Sequence, residues 1–350
     1  MGSSRSRSKI ETGIDQLKCF VLLLKNVGEV AQKPSKARHE TCQKERRVCN
    51  SKHYIDEITP DYLCYVRSIF ASHTRFHRGE ARKVMPADTV YITILRDPVG
   101  LFGSMYSYYD LHNGYKLSLQ ELVRQHPDPT DAIYRGRRYK KFGLNQMAFD
   151  LGLSVSAFRN MAVVDQFIQR LEATFDLVLI AERMSESLVL LRYLLCWDVD
   201  DVVLFKKNAR STSFKKSEEQ LTSRDVETLR SLNAADQRIY EYFNAKLTEK
   251  VERFGELRMA DEKALIDARS RYWFDECVGE VKKVEDEETA KRMHIYSQKV
   301  MYFQEKDGAD PECQRMLREE LAYIVLLREK QSYIHYEVAK TASATPAKRH

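Results

Sequence analysis

The stretch Thr89–Leu111, TVYITILRDPVGLFGSMYSYYDL, changes its pattern in the middle. Its first seven residues are mostly β-branched or aromatic and predict a buried strand. The residues from Pro98 to about Tyr109 carry apolar side chains at helical spacing and predict a helix. A strand that passes directly into a helix is typical of an α/β fold, in which strands alternate with helices along the chain.

The same alternation continues up to about residue 245. CFVLLLK (Cys19–Lys25) and DLVLIAE (Asp176–Glu182) predict two more buried strands, and DDVVLFKKNARSTS predicts a short strand or an extended run. Helices are predicted over residues 60–71, 117–125, 156–175 and 185–197, the last with Ser185 as its N-cap. We therefore expect a parallel sheet flanked by helices.

The amino-acid composition changes on both sides of this region. Residues 1–53 are mostly polar and basic, and we expect a poorly ordered or divergent segment there. Residues 256–337 are highly charged and predict a helical extension, and residues 338–350 predict a disordered tail. Residues 54–255 are left as the predicted α/β domain.

The composition supports a folded core and narrows the choice of ligand. Hydrophobic residues make up 43% of the 350 residues, which excludes global disorder. The net charge of +6 suits an anionic cofactor or a membrane surface and does not require nucleic acid. No apolar run approaches the roughly 20 residues of a membrane span, and the N-terminus lacks the layout of a signal peptide.

The spacing of the seven cysteines does not indicate a disulfide framework. No CxxC pair is present, which argues against a zinc site, and no metal is expected. Cys42 and Cys49 could form a local pair. We expect most of the cysteines to be free or buried thiols.

The triplet Arg96-Asp97-Pro98 lies where the predicted strand gives way to the helix. Asp97 can cap the helix, and Pro98 fits its first turn because that N–H has no helical partner. Arg96 would lie at the carboxyl end of a strand, where open α/β sheets bind ligands, beside a helix start that supplies N–H groups. Arg96 and the hydroxyl of Ser104 together indicate a phosphate site. The alternative is that Arg96 pairs with an acidic neighbour and Ser104 is only a small helical residue.

Several blocks of the sequence resemble one family. MPADTVYITILRDPVGLFGSMYSYY is similar to the 3′-phosphate-binding segment of the galactose 3-O-sulfotransferases. The resemblance extends to HTRFH, GLNQMAFDLGL, FDLVLIAERMSESLVLLRYLLCWDVDDVVLFKKNARS and LNAADQRIYEYFNAKL, which follow in the order and spacing of that family. It covers roughly residues 60–255.

The resemblance implies an activity and a donor. Members of the family transfer sulfate from 3′-phosphoadenosine-5′-phosphosulfate (PAPS) to the 3-hydroxyl of galactose on a glycolipid such as galactosylceramide or on a glycoprotein glycan. The implied fold is a P-loop NTPase-like sulfotransferase fold with a parallel sheet. Arg96 and Ser104 would hold the 3′-phosphate of the donor. Arg210 is a further candidate for donor binding, against the alternative of a solvated basic residue.

The acceptor hydroxyl needs a base, and histidine is the usual choice near neutral pH. By resemblance His73 is the candidate catalytic base, with His77 as the second choice. Either histidine could instead be a surface residue in a basic loop. Asn145, Gln146 and Asp150 are candidates for sugar contacts, since sugar recognition favours amide and carboxylate partners. Asn145 and Gln146 could equally cap or cross-link the backbone.

Two features of the family are not found in this sequence. Members carry an N-terminal loop resembling KTHKTGSST that wraps the 5′-phosphosulfate, but after CFVLLLK this chain reads NVGEVAQKPSKARHETCQKERR. Members are also anchored in the Golgi membrane and face its lumen, and this localisation is implied here by resemblance alone. Two hypotheses stay open: a truncated or mis-spliced gene model, and an inactive family member that binds nucleotide or glycan without transfer.

Overall fold

The computed structural model describes residues 21–25, 69–72, 74–205, 221–284, 286–292, 301–319 and 321–329. A four-stranded sheet forms the centre of this part of the chain, with the strand order β2-β1-β3-β4. Its strands are β1 (Val21–Lys25), β2 (Ile69–Ser72), β3 (Thr89–Leu95) and β4 (Leu177–Ile180).

The sheet is mixed, whereas the sequence predicts a parallel one. β3 and β4 are parallel, with Ile92 opposite Leu177, and this pair agrees with the prediction. β1 runs antiparallel to both of its neighbours, β2 and β3. An apolar run predicts that a strand is buried but carries no information on its direction, and a connection as long as the one between β1 and β2 permits either direction.

Helices surround the sheet. They are α1 (Arg78–Val84), α2 (Pro98–Tyr108), α3 (Leu111–Tyr115), α4 (Leu119–Gln125), α5 (Gln146–Asp150), α6 (Met161–Glu172), α7 (Met184–Leu195), α8 (Ser223–Leu232), α9 (Ala234–Phe254), α10 (Glu256–Cys277), α11 (Glu287–Arg292) and α12 (Pro311–Leu317). Residues 321–329 are also helical. The predicted strands at β1, β3 and β4 are confirmed, as are the predicted helices at α2, α4, α6 and α7.

β3 is buried on both faces, which explains its continuous apolar sequence. Tyr91 and Leu95 belong to the largest core cluster, together with side chains of α6 and α9. Ile92 packs against Leu191 and Leu195 of α7 on the opposite face. The strand therefore lies between two helical layers, and its carboxyl end is fixed from both sides.

Three local predictions differ from the structure. Of the helix predicted over residues 60–71, residues 69–71 instead form part of strand β2, and residues 60–68 lie outside the described residues. α7 begins at Met184, so Ser185 lies inside the helix and Arg183 occupies the N-cap position. The run predicted as a short strand or an extended segment, residues 200–213, begins inside a 3-10 turn (Val199–Val202), where Asp198 and Asp201 build a capping box. Residues 206–213 lie outside the described residues.

The C-terminal region contains more than helices. β5 (Val278–Lys283) pairs antiparallel with β6 (Met301–Glu305). A disulfide joins Cys277, at the end of α10, to Cys313 in α12, and Cys196 is also disulfide-bonded. The expectation of free thiols is therefore wrong for these three cysteines. Cys277 and Cys313 lie 36 residues apart, a separation that sequence spacing alone does not identify as a bond.

Candidate functional site

The carboxyl ends of β3 and β4 lie side by side, with Leu95 opposite Ile180. The residues that follow each strand therefore meet at one edge of the sheet. Arg96 and Asp97 follow β3, and Glu182 follows β4. This edge is the place where parallel strands of α/β sheets present ligand-binding residues.

Arg96 lies over the first turn of α2. A methyl group built on Gly100 would be 3.5 Å from Nη2 of Arg96 and 3.6 Å from its Nε. The backbone N–H of Arg96 donates to Sδ of Met147 at 3.4 Å, which ties the strand end to α5. The half-buried residue Arg96 thus lies at the strand-to-helix junction, as the sequence predicts.

The start of α2 offers less to an anion than the sequence suggests. Pro98 has no N–H, and the N–H of Gly100 donates to Oδ1 of Asp97 at 3.0 Å. The predicted capping role of Asp97 and the first-turn position of Pro98 are confirmed. Two positions of this turn therefore have no N–H to offer an anion, and Arg96 supplies a full positive charge at the junction.

Ser104 lies in the second turn of α2 and is 1% exposed. The helix is buried over most of its surface, with Phe102 and Tyr106 in the same apolar cluster. The hydroxyl of Ser104 is therefore withdrawn from solvent, whereas the Arg96 side chain is half-buried.

Glu182 connects the two strand ends, a link that the sequence analysis did not foresee. Its Oε1 accepts the backbone N–H of Asp97 at 2.9 Å. Its Oε2 accepts the hydroxyl of Tyr240 at 3.2 Å. Burial, followed by the neighbouring charge of Glu182, raises the pKa of Tyr240. The sequence feature that could have indicated this role is the position of Glu182 as the first charged residue after the apolar run of β4.

Asn145, Gln146 and Asp150, the candidates for sugar contacts, lie together at α5, and the side chains of Asn145 and Gln146 bind other parts of the protein. Asn145 is buried, and its Oδ1 accepts the N–H groups of Ala235 at 2.9 Å and Asp236 at 3.1 Å. The amide of Gln146 donates to Asp150 at 3.0 and 3.1 Å. Oε1 of Gln146 also accepts the N–H of Gly143 at 3.3 Å, so Asn145 and Gln146 both make the backbone contacts of the cross-linking alternative.

Asp236 completes this cluster. Its carboxylate accepts the N–H groups of Met147 at 3.0 Å and Ala148 at 2.7 Å, which are in the first turn of α5. Burial raises its pKa to about 7, although the two N–H donors act in the opposite direction.

Two arginines form hydrogen bonds with the same group of residues around α5. Arg137 donates to Gln146 and to the carbonyl of Leu144, and its guanidinium lies 3.9 Å from the centre of the Phe149 ring. Burial lowers the pKa of Arg137. Arg75 donates to the carbonyls of Phe149, Gly152 and Leu153 at 3.0, 3.1 and 2.9 Å. These arginines therefore fix loops around α5.

Of the two candidate bases, only His77 lies within the described residues. His77 caps α1, where its Nδ1 accepts the N–H of Glu80 at 3.2 Å. A neutral histidine that accepts at Nδ1 carries its proton on Nε2, so His77 would have to give up the cap to act as a base. His73 and Arg210 lie outside the described residues.

The described residues contain no cluster of three or more His, Cys, Asp or Glu side chains that could hold a metal ion. None of the helices in the described ranges is both long enough and apolar enough to cross a bilayer.

Fold and site together define an α/β protein whose candidate ligand site is the edge where two parallel strands end. The chain belongs to the galactose-3-O-sulfotransferase family, whose sequence profile matches residues 36–331. No solved structure matches the chain.

Relatives of this chain carry sulfotransferase names. It is 36% identical over 247 residues to mouse galactose-3-O-sulfotransferase 3, which covers 67% of this chain and 54% of the relative. It is 31% identical over 270 residues to bovine galactosylceramide sulfotransferase, covering 74% of this chain and 63% of the relative. Pig galactose-3-O-sulfotransferase 2 is 34% identical over 278 residues, which is 75% of this chain and 68% of the relative. The chain thus spans about half the length of the galactose-3-O-sulfotransferase 3 relatives.

Proposed function

We propose that this protein transfers sulfate from PAPS to the 3-hydroxyl of a galactose on a glycolipid or glycoprotein glycan. Residues 54–255 would form a P-loop NTPase-like sulfotransferase domain. One observation carries the proposal: the guanidinium of Arg96 lies over the first turn of α2, at the end of a parallel strand. An arginine in this position can bind a phosphate through two parallel hydrogen bonds.

Sulfate transfer requires groups that bind the donor and a base for the acceptor hydroxyl, and the predicted residues can fill these roles. The donor must be held in line and the charge on its leaving phosphate must be stabilised. Arg96 would bind the 3′-phosphate at the junction, and Ser104, which is 1% exposed, would contribute its hydroxyl from within α2. Arg210 would be a further donor contact. His73 would take the proton from the attacking hydroxyl. His77 is less suited to this role because its Nδ1 caps α1.

The acceptor side is proposed from the names of the relatives and from the geometry of α5. The relatives named above are galactose or galactosylceramide sulfotransferases, which supports a galactose acceptor. Asp150 is half-buried and is oriented by Gln146, so we assign Asp150 to the sugar contact and Asn145 and Gln146 to its support.

The disulfide supports the proposed location in the Golgi lumen. A bond such as Cys277–Cys313 persists in oxidising compartments and is rare in the cytosol. A membrane-associated enzyme of the Golgi lumen would meet both its glycolipid and its glycoprotein acceptors there.

Titration of the full chain with 3′-phosphoadenosine-5′-phosphate, the product of the donor, tests the site. Arg96→Ala should weaken binding by about 10- to 100-fold, since it removes a hydrogen-bonded charge. Arg238→Ala is the matched control, because Arg238 pairs with Asp165 on the exposed side of α9. The assignment is wrong if Arg96→Ala binds as tightly as the wild type.

A radiolabelled sulfate transfer assay with galactosylceramide and lactose-type acceptors tests the activity. His73→Ala should abolish turnover and leave product affinity unchanged, while His77→Ala should retain turnover. Nucleotide binding without any transfer by the wild type would instead identify an inactive family member that binds nucleotide or glycan.

A further inference from the structure

Glu182 bridges three parts of the molecule. It follows β4, its Oε1 holds the backbone N–H of Asp97 at 2.9 Å, and its Oε2 holds the hydroxyl of Tyr240 at 3.2 Å. Asp97 is the residue directly after Arg96 and the N-cap of α2. Glu182 therefore binds the residue next to Arg96, whose guanidinium belongs to the candidate donor site.

The partner of Glu182 belongs to a regular polar stripe on α9. Asp236, Tyr240, Asn244 and Thr248 are spaced four residues apart, which places them on one face of the helix. Asp236 binds the start of α5, as described above, and Tyr240 binds Glu182. Arg183 donates to Asn244 at 3.2 Å and to Thr248 at 2.6 Å.

The helix that carries this polar stripe is itself held in place by the core. The adjoining face of α9 inserts Ile239, Phe243 and Leu247 into the main core, where each is at most 4% exposed. α9 is therefore fixed by apolar packing, and its polar stripe binds Glu182 and Arg183, the two charged residues after β4. Through Glu182 this fixed face reaches the turn that carries Arg96.

We propose that Glu182 is a positioning residue that fixes the Arg96–Asp97 turn, with Tyr240 as its anchor on α9. The proposal rests on the proposed function in one respect, because it takes the turn to be the donor-binding turn. Without Glu182 the N–H of Asp97 loses its carboxylate partner, and the direction of the guanidinium is no longer fixed before the nucleotide arrives. An arginine that must be ordered on binding gives weaker binding than a preorganised one.

The variants separate geometry from charge. Glu182→Gln retains an oxygen for the Asp97 N–H and can donate to the Tyr240 oxygen, so it keeps the bridge without the charge. Glu182→Ala removes both. Tyr240→Phe removes only the anchor. Tyr242→Phe is the matched control, since Tyr242 lies two residues further along α9 and donates its hydroxyl to Glu172.

Hydrogen exchange of the Asp97 amide tests the bridge independently of any nucleotide. Exchange should be about tenfold faster in Glu182→Ala and about threefold faster in Tyr240→Phe, as expected from the loss of roughly one hydrogen bond. Glu182→Gln and Tyr242→Phe should exchange like the wild type. Unchanged exchange in Glu182→Ala would overturn the proposal.

Titration with 3′-phosphoadenosine-5′-phosphate tests the consequence for binding. Glu182→Ala should bind about three- to tenfold more weakly than the wild type, with Glu182→Gln restoring wild-type affinity or exceeding it. Equal weakening in both variants would contradict positioning and indicate a need for the charge itself. A wild type that binds no nucleotide would refute the proposed function, and the exchange measurement would still decide whether Glu182 fixes the turn.

Discussion

Asn145 and Asp236 each cap the helix that begins at the other. The side chain of Asn145, just before α5, accepts the N–H groups of Ala235 and Asp236 in the first turn of α9. The side chain of Asp236 accepts the N–H groups of Met147 and Ala148 in the first turn of α5. This exchange satisfies buried donors at two helix starts at once and locks α5 against α9.

Replacing Asn145 should therefore lower the stability of the fold. Asn145→Ala leaves two buried N–H groups without an acceptor and places alanine at a φ of 54°. We expect the free energy of unfolding to fall by about 2 to 4 kcal/mol in urea denaturation. Asn145→Gly tolerates the positive φ and should lose about 1 kcal/mol less.

Asn160→Ala provides the control for the loss of an ordinary cap. Asn160 caps α6 at an exposed position, where its Oδ1 accepts the N–H of Val163 at 3.2 Å. Its replacement should cost about 1 kcal/mol. Equal losses for the alanine variants of Asn145 and Asn160 would show that the reciprocal cap adds nothing.

The raised pKa of Asp236 predicts a specific dependence of stability on pH. Because burial raises its folded-state pKa to about 7, the folded protein binds a proton that the unfolded chain releases near its ordinary value of about 4. The contribution of this group is therefore largest below pH 4 and is lost as the pH rises from about 4 to 7. Above pH 7 it should be constant.

Asp236→Asn isolates this contribution from those of other titrating groups. We expect the wild type to gain up to about 2 kcal/mol relative to the variant on acidification from pH 8 to pH 5. Urea denaturation of both proteins at the two pH values measures the difference. A difference that stays constant between pH 5 and pH 8 would mean that Asp236 is ionised throughout this range.

Local patterns were sufficient to predict the junction at Arg96. β3, the capping Asp97 and the first-turn Pro98 are encoded by residues adjacent in the chain, and all three are confirmed. The bond from the Asp97 N–H to Glu182 was not foreseen, because Glu182 lies 85 residues further along the chain.

Partners far apart in the sequence could not be predicted. Glu182 and Tyr240 are 58 residues apart, and helical spacing indicates which face of α9 is polar without saying what that face contacts. The direction of β1 was missed for a related reason, since hydrophobic periodicity reports burial and not strand order. For Asn145 the sequence offered two roles, and only the packing of α9 against α5 distinguishes them.

The Cys277–Cys313 disulfide should stabilise the C-terminal strands and α12. It closes a loop of 36 residues, for which the entropy of the unfolded chain predicts a contribution of about 3 to 4 kcal/mol. The double variant Cys277→Ser/Cys313→Ser should lose about that amount and become sensitive to limited proteolysis between residues 278 and 310. Unchanged proteolysis of the double variant would contradict this role.

Gly152 is required by a close contact between two backbone segments. It has a φ of +105°, and a methyl group at this position would lie 2.6 Å from the carbonyl oxygen of Phe76. Phe76 cannot retreat easily, because its N–H donates to the carbonyl of Asp150 at 2.6 Å. Gly152→Ala should therefore lower the free energy of unfolding by about 3 kcal/mol or more, measured by urea denaturation.

Gly136→Ala separates the close contact from the effect of a positive φ. Gly136 has a φ of +74°, but a methyl group there would meet nothing within 4 Å. Only the backbone strain of alanine remains, which costs about 1 to 2 kcal/mol. A similar loss in both variants would mean that the segment at Phe76 shifts freely. A larger loss at Gly152 would show that α5 and the segment before α1 are held in fixed contact, as the three hydrogen bonds of Arg75 to the same turn also require.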